Sequence, residues 1–131
     1  MTRPVDSKKA INYLMKAENS LRMAKIAIEQ QAYDNAVMSS IHGTINALDA
    51  LTTYCLQKRS SGQHTDALSL TREIFSAQEQ NDVERQFKLL LGLKNASEYQ
   101  PEMMSQKDAE NSLKLAERIL AKVKTKLQKQ A

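Results

Sequence analysis

From Ala10 onward the apolar residues recur at alternating steps of four and three: Ala10, Leu14, Ala17, Leu21, Ala24 and Ile28. Those steps keep all six on one side of an α-helix and predict a first helix of about 25 residues. Asp6 or Ser7 can cap it. A polar break between Gln30 and Asp34 leads into a second predicted helix that runs to about Arg59 and carries two inner stripes. One holds Val37, Ile41, Leu48, Leu51 and Cys55; the other holds Tyr33, Ala36, Ser40, Gly43, Ala47 and Ala50. Small side chains at that spacing let another helix approach closely. Gly43 costs about 1 kcal/mol relative to Ala in a helix interior, so its place there predicts a tight crossing rather than a hinge.

Ser60-Ser61-Gly62-Gln63 reads as a loop, and Thr65 or Asp66 opens a shorter third helix with Ala67, Leu70, Thr71 and Ile74 along it. A polar stretch from Gln78 to Asn81 separates it from a fourth helix, about Asp82 to Ser97, with Val83, Phe87, Leu90 and Leu91 inward. Pro101 stops that helix, because the residue before a proline disfavours helical angles. Ser105 followed by Asp108 has the form of a capping box with Asp in place of Glu. Ala109, Leu113, Ala116, Leu120, Val123 and Leu127 then define a last helix. The expectation is a single all-α domain over residues 1–131, an up-and-down bundle of four to five helices.

Composition narrows this further. Three Gly, two Pro and no Trp in 131 residues leave too few turn signals for a sandwich or barrel, which needs one every ~8–12 residues. Gly-rich phosphate loops are not written in the chain. The net charge of +4 is unevenly placed: residues 1–31 hold 6 basic and 3 acidic side chains, residues 101–131 hold 7 and 4, and the middle is slightly negative. If the first and last helices lie side by side, their outer faces make a mildly basic strip open to RNA, DNA or an acidic protein. No aromatic residue interleaves with those cations, which argues against base stacking and for a solvated face. Cys55 is the single cysteine, on an apolar stripe, as expected of a buried thiol in a reducing compartment. With no secretory apolar segment and no apolar run near ~20 residues, the expected location is the cytoplasm, without a membrane partner.

The candidate chemistry lies on the second helix, where Asn35, Ser39, His42, Asn46 and Asp49 form a polar stripe as regular as the apolar ones. Asn and Ser are mediocre helix formers that a plain surface would replace with Glu, Lys or Ala. The stripe reads either as a solvated face or as a polar cleft or dimer seam in which His42 serves as an acid–base group. Two histidines, His42 and His64, and one cysteine are too few for a transition-metal site within one chain, so no metal or cofactor is expected. Glu98 and Glu102 lack the Glu-x-x-His partners of a di-iron bundle. There is no Gly-x-Ser-x-Gly, and an apolar setting raises a thiol's pKa, so Cys55 is not an expected nucleophile. His64 fits a local capping or surface role. Met103-Met104 reads as packing under a loop or as an exposed adaptable contact.

Three stretches resemble the HEPN domain family, named for nucleotide binding in higher eukaryotes and prokaryotes, and together they span nearly the whole chain. Ala36 to Gly43 and Ala47 to Leu51 are similar to the family's second helix of small residues followed by an acidic residue. Gly62-Gln63-His64-Thr65-Asp66-Ala67-Leu68 resembles the loop His that opens its third helix. Leu93-Lys94-Asn95-Ala96-Ser97-Glu98-Tyr99 resembles the Arg-x-x-Ala-Asp-Tyr pattern that ends its fourth. The resemblance implies a dimer. In the family's ribonucleases an Arg and a following His from each subunit meet and cleave RNA without metal. Here Lys94 stands at the Arg position and Glu98-Tyr99 where the His would follow; Lys holds phosphate only as a point charge, and no general base follows it. Members without that pair accompany a minimal nucleotidyltransferase or belong to mobile-element and defence loci, toxin–antitoxin pairs among them. The expectation is therefore a non-catalytic HEPN-like homodimer. It binds a nucleotide, a nucleic acid or a nucleotidyltransferase-type protein, with Asn35, His42, Asn46, Asp49, Lys94 and Tyr99 lining the cleft. The alternatives are a degenerate, toxin-like ribonuclease using His42 or His64 with Lys94, and a plain helical adaptor.

Overall fold

The structure of the chain, a computed structural model, describes the backbone of residues 2–4, 6–60 and 64–130 and the side chains of residues 6–60, 66–96 and 100–129. Its helices are α1 (Ala10–Glu29), α2 (Tyr33–Leu56), α3 (His64–Thr71), α4 (Ala77–Tyr99) and α5 (Gln106–Gln130), with two short strands, β1 (Thr2–Pro4) and β2 (Lys58–Ser60). The all-α bundle expected from periodicity is the architecture found.

Helix α2 is the centre of the molecule. It packs against α1 along its length, against α5 next most extensively, and against α4 and α3. Both of its inner stripes are therefore covered: Val37, Ile41, Leu48 and Leu51 on one side, Ala36, Ser40, Gly43, Ala47 and Ala50 on the other are all buried. Ala17 and Leu21 of α1, Phe87 and Leu90 of α4, and Ala116, Ile119 and Val123 of α5 complete the core around it. Gly43 stands at the α1–α2 crossing. A Cβ there would come within 2.6 Å of Leu21 Cδ2 and 3.3 Å of the Ala17 carbonyl oxygen, so the tight crossing read from the sequence is real.

Several boundaries differ from the sequence reading, each for a local reason. Before α1, Asp6 caps a 3-10 turn (Ser7–Lys9) by accepting from the Lys8 N–H at 3.0 Å. Helix α2 ends at Leu56 rather than near Arg59, because Gln57 takes a left-handed conformation with φ of 57°. Lys58 to Ser60 then pair antiparallel with Pro4 to Thr2. Helix α3 ends at Thr71, and Phe75, beyond it, is buried in the core. Helix α4 begins at Ala77, ahead of the polar stretch read as a separator, through a reciprocal capping box. The Glu79 N–H donates to Ser76 Oγ at 3.2 Å and the Ser76 N–H to Glu79 Oε1 at 2.8 Å. The Ser105–Asp108 box of α5 is present as read, with both bonds at 3.1 Å. The Met104 N–H donates to Asp34 Oδ1 at 2.7 Å, which fastens the α4–α5 connection to the start of α2. Among the described residues no helix is long and apolar enough to cross a membrane.

Candidate functional site

The polar stripe of α2 runs along the side of the helix that its neighbours leave uncovered, and it does not stay uncovered to its end. Asn35 and His42 face solvent, while Ser39 and Asn46 are half-buried. Asn46 Nδ2 donates back to the His42 carbonyl at 3.0 Å. Asp49, only 6% exposed, lies under the strand that follows the helix. It accepts from the Ser60 N–H at 3.1 Å and from Ser60 Oγ at 2.8 Å. Burial pushes the Asp49 carboxyl above its ordinary range, against the Ser60 hydrogen bonds and the nearby Arg59 charge. Its place in the fold is that of an anchor for β2. Lys94 lies half-buried on α4. Tyr99 closes α4 and His64 opens α3, but the side chains of both, like Ser61, Gly62 and Gln63 of the loop, lie outside the described residues. The structure thus keeps Asn35, His42 and Asn46 on one face and turns Asp49 inward from it.

Among the described residues no group of three or more His, Cys, Asp or Glu side chains is placed to hold a metal ion. Burial raises the Cys55 thiol, as its stripe implied, despite the nearby Lys126. Such a thiol is a poor nucleophile.

Two features escaped the periodicity reading. The first is the outward face of α1, where Ile11, Met15, Met23 and Ile26 are between 42% and 57% exposed. Their own spacing marks the side of the helix opposite the buried stripe, and it was legible as a second apolar stripe. The second is a pair of grooves flanking α5. One, of about 450 Å³, lies between α1 and α5 and is lined by Leu21, Leu120 and the charged residues around them. There the basic strip expected of α1 and α5 is largely neutralised by ion pairs, Lys25 with Glu117 at 3.5 Å and Lys124 with Glu18 at 3.0 Å. The other, of about 530 Å³, separates α4 from α5 and is lined by Leu89, Gly92, Leu93, Asn111, Lys114, Leu115 and Arg118. Neither groove takes in the polar stripe of α2.

The fold is found in a solved protein. The crystal structure of TT1696 from Thermus thermophilus superposes with a TM-score of 0.75, covering 90% of this chain and 98% of that one, at 22% sequence identity. Identity that low shows a shared fold and nothing further. No curated protein matches the chain. The model of the HEPN domain matches residues 12–126, from the first turn of α1 almost to the end of α5. Spanning every helix of the bundle, that match confirms the resemblance read from the three sequence stretches: the chain belongs to the HEPN domain family.

Proposed function

We propose that the chain is a non-catalytic HEPN binding module that works as a homodimer and engages a protein partner of the nucleotidyltransferase type. The observation that carries the reading is the outward face of α1, where Ile11, Met15, Met23 and Ile26 are exposed together. Large apolar side chains left exposed along one helix face of a small protein mark a contact surface, and Met is enriched in such surfaces. A face of this kind on a small bundle suits an isologous contact, in which both copies use the same patch. The non-catalytic half rests on the fourth helix, where Lys94 is followed by no histidine, so an acid–base partner for phosphodiester cleavage is not written into that segment. The solvent-facing Asn35 and His42 and the half-buried Asn46 remain the candidate contacts for a nucleotide or nucleic acid, with Lys94 and Tyr99 completing the cleft that the family resemblance implies.

Light scattering during size-exclusion chromatography, with absorbance read at 260 and 280 nm, tests the proposal. The expected mass is twice the 14.8 kDa of the chain, returning to a single chain in Met15→Glu/Ile26→Glu. A monomeric wild-type protein overturns the dimer. Cleavage of RNA that is lost in Lys94→Ala overturns the non-catalytic reading, and co-purifying 260 nm absorbance moves the reading from a protein partner to a nucleotide or RNA ligand.

A further inference from the structure

We propose that the channel between α4 and α5 is a docking groove for an acidic amphipathic helix of a partner protein, an inference that rests on the binding-module reading and names the surface used. Its floor is apolar. Leu89, Leu93 and Leu115 line it, and Leu89 is 55% exposed, a large apolar side chain left without a cover.

Gly92 sits among them in the interior of α4, where glycine weakens a helix. A Cβ added at Gly92 would meet nothing within 4 Å. Neither internal packing nor backbone conformation therefore asks for glycine, in contrast to Gly43, which makes room for α1. A glycine of this kind admits a second helix at short range, and at Gly92 the space it opens faces the groove.

Charge selects the occupant. Three cations of α5 are paired within the chain: Lys122 with Asp82 at 3.5 Å, Lys124 with Glu18 at 3.0 Å, and Lys126 with Glu79 at 2.9 Å. Lys114 and Arg118, one turn apart on the groove wall, make no ion pair among the described residues. Arg118 also lines the groove's continuation beside Gln86, whose Oε1 is buried with no hydrogen-bond partner among the described residues. Two cations a turn apart over an apolar floor match a helix bearing carboxylates at positions i and i+4 beside an apolar stripe. A nucleic acid is the poorer fit, since no aromatic side chain lines the groove for bases to stack on. A second copy is also poorer. Of the acidic residues on α1, α4 and α5, Glu18, Glu79, Asp82, Glu84 and Glu117 are each held in an ion pair, and Asp108 caps α5. Glu29 and Glu110 make no ion pair among the described residues, but they lie on different helices and offer no carboxylates at i and i+4.

The test is fluorescence anisotropy with three labelled probes: a designed Leu/Ala/Glu amphipathic peptide of about five helical turns, its counterpart with Lys for Glu, and a single-stranded RNA oligonucleotide. The full-length protein is expected to bind the acidic peptide at least ~10-fold more tightly than the other two. Gly92→Leu is expected to weaken that binding by at least ~10-fold while melting at the same or a higher temperature, because its Cβ meets open space. Arg118→Glu is expected to reverse the preference between the two peptides. Acidic-peptide binding unchanged by Gly92→Leu overturns the proposal, as does preferential RNA binding that Gly92→Leu abolishes. So does a fall from dimer to monomer in Gly92→Leu, which would assign the groove to a second copy. A wild-type dimer that ignores the acidic peptide defeats the groove and leaves the dimeric module standing. A monomer that binds it, with loss in Gly92→Leu, does the reverse.

Discussion

Helices α1 and α2 form a closed hairpin and helices α4 and α5 an open one, and each contains a mid-helix glycine. At Gly43 the space a Cβ would occupy is already taken by Leu21 and the Ala17 carbonyl; at Gly92 that space is empty. In the first hairpin the small residues of α2 bring the backbones together, and the reward is the most extensive helix contact in the fold. In the second, α4 turns Phe87 and Leu90 to the core and leaves Leu89 and Gly92 on a groove wall. The same residue type thus marks a contact satisfied within the chain in one place and a contact still open in the other. The difference separates the part of the molecule that specifies the fold from the part available for function.

The strongest way to break this comparison is to truncate the two faces of α4 in turn. Phe87→Ala removes a fully buried ring and is expected to cost about 3–5 kcal/mol in denaturant unfolding. Leu89→Ala, two residues away on the groove wall, is expected to stay within about 0.5 kcal/mol of wild type. A large loss at Leu89 would mean that the groove wall serves the fold.

Next in size is the anchor under β2. Asp49→Ala leaves the Ser60 N–H and hydroxyl without their acceptor and is expected to cost about 2 kcal/mol. Asp49→Asn keeps an acceptor and sheds a buried charge, so at pH 7 it is expected to match or exceed wild-type stability. Because burial raises the folded-state pKa of Asp49 above its unfolded value of 3.8, its contribution to stability grows as the pH falls through the raised pKa. Urea midpoints of Asp49→Asn and wild type should therefore converge on acidification, toward the unfolded pKa.

Smaller still is the capping box that starts α4. Ser76→Ala is expected to cost about 1 kcal/mol by thermal or urea unfolding. The Ser76 N–H and then Lys126 hold the Glu79 carboxyl at about 2, well under the unfolded value of 4.5. Its share of stability is thus complete above pH 4.5 and is lost as the pH falls toward 2. Glu79→Gln is expected to flatten the acid limb of the stability profile, and an unchanged limb would remove Glu79 from the cap.

How much of this was legible depended on what each pattern encodes. The four-and-three stripes of α1, α2 and α5 were readable because each has one side turned to the core, and the Gly43 crossing was readable because a mid-helix glycine has few other uses. The start of α4 was written as Ser76-x-x-Glu79, yet the turn after it has no large apolar residue and its inward position is the polar Gln80, so apolar periodicity missed it. Strands of three residues carry no alternation to detect, and β1 and β2 were invisible. The polar stripe of α2 shows why the candidate site was only partly legible. Periodicity says that Asn35, His42, Asn46 and Asp49 share a side of the helix. It does not say that β2 folds over the last of them, or that Asn46 is half-buried while Asn35 and His42 are left in water. The α4–α5 groove arises from how two helices splay, which no single-helix pattern contains.

The most direct measurement is equilibrium unfolding of Gly43→Leu and Gly92→Leu beside the wild type. Leucine at 43 must displace Leu21 and press on the Ala17 carbonyl, and a loss of about 3 kcal/mol or more is expected. Leucine at 92 meets open space and improves helix propensity, with an expected gain of about 0.5–1 kcal/mol. Opposite signs are the predicted result; a comparable loss at both positions would contradict the account, because Gly92 would then have a partner inside the fold and the groove would not be open.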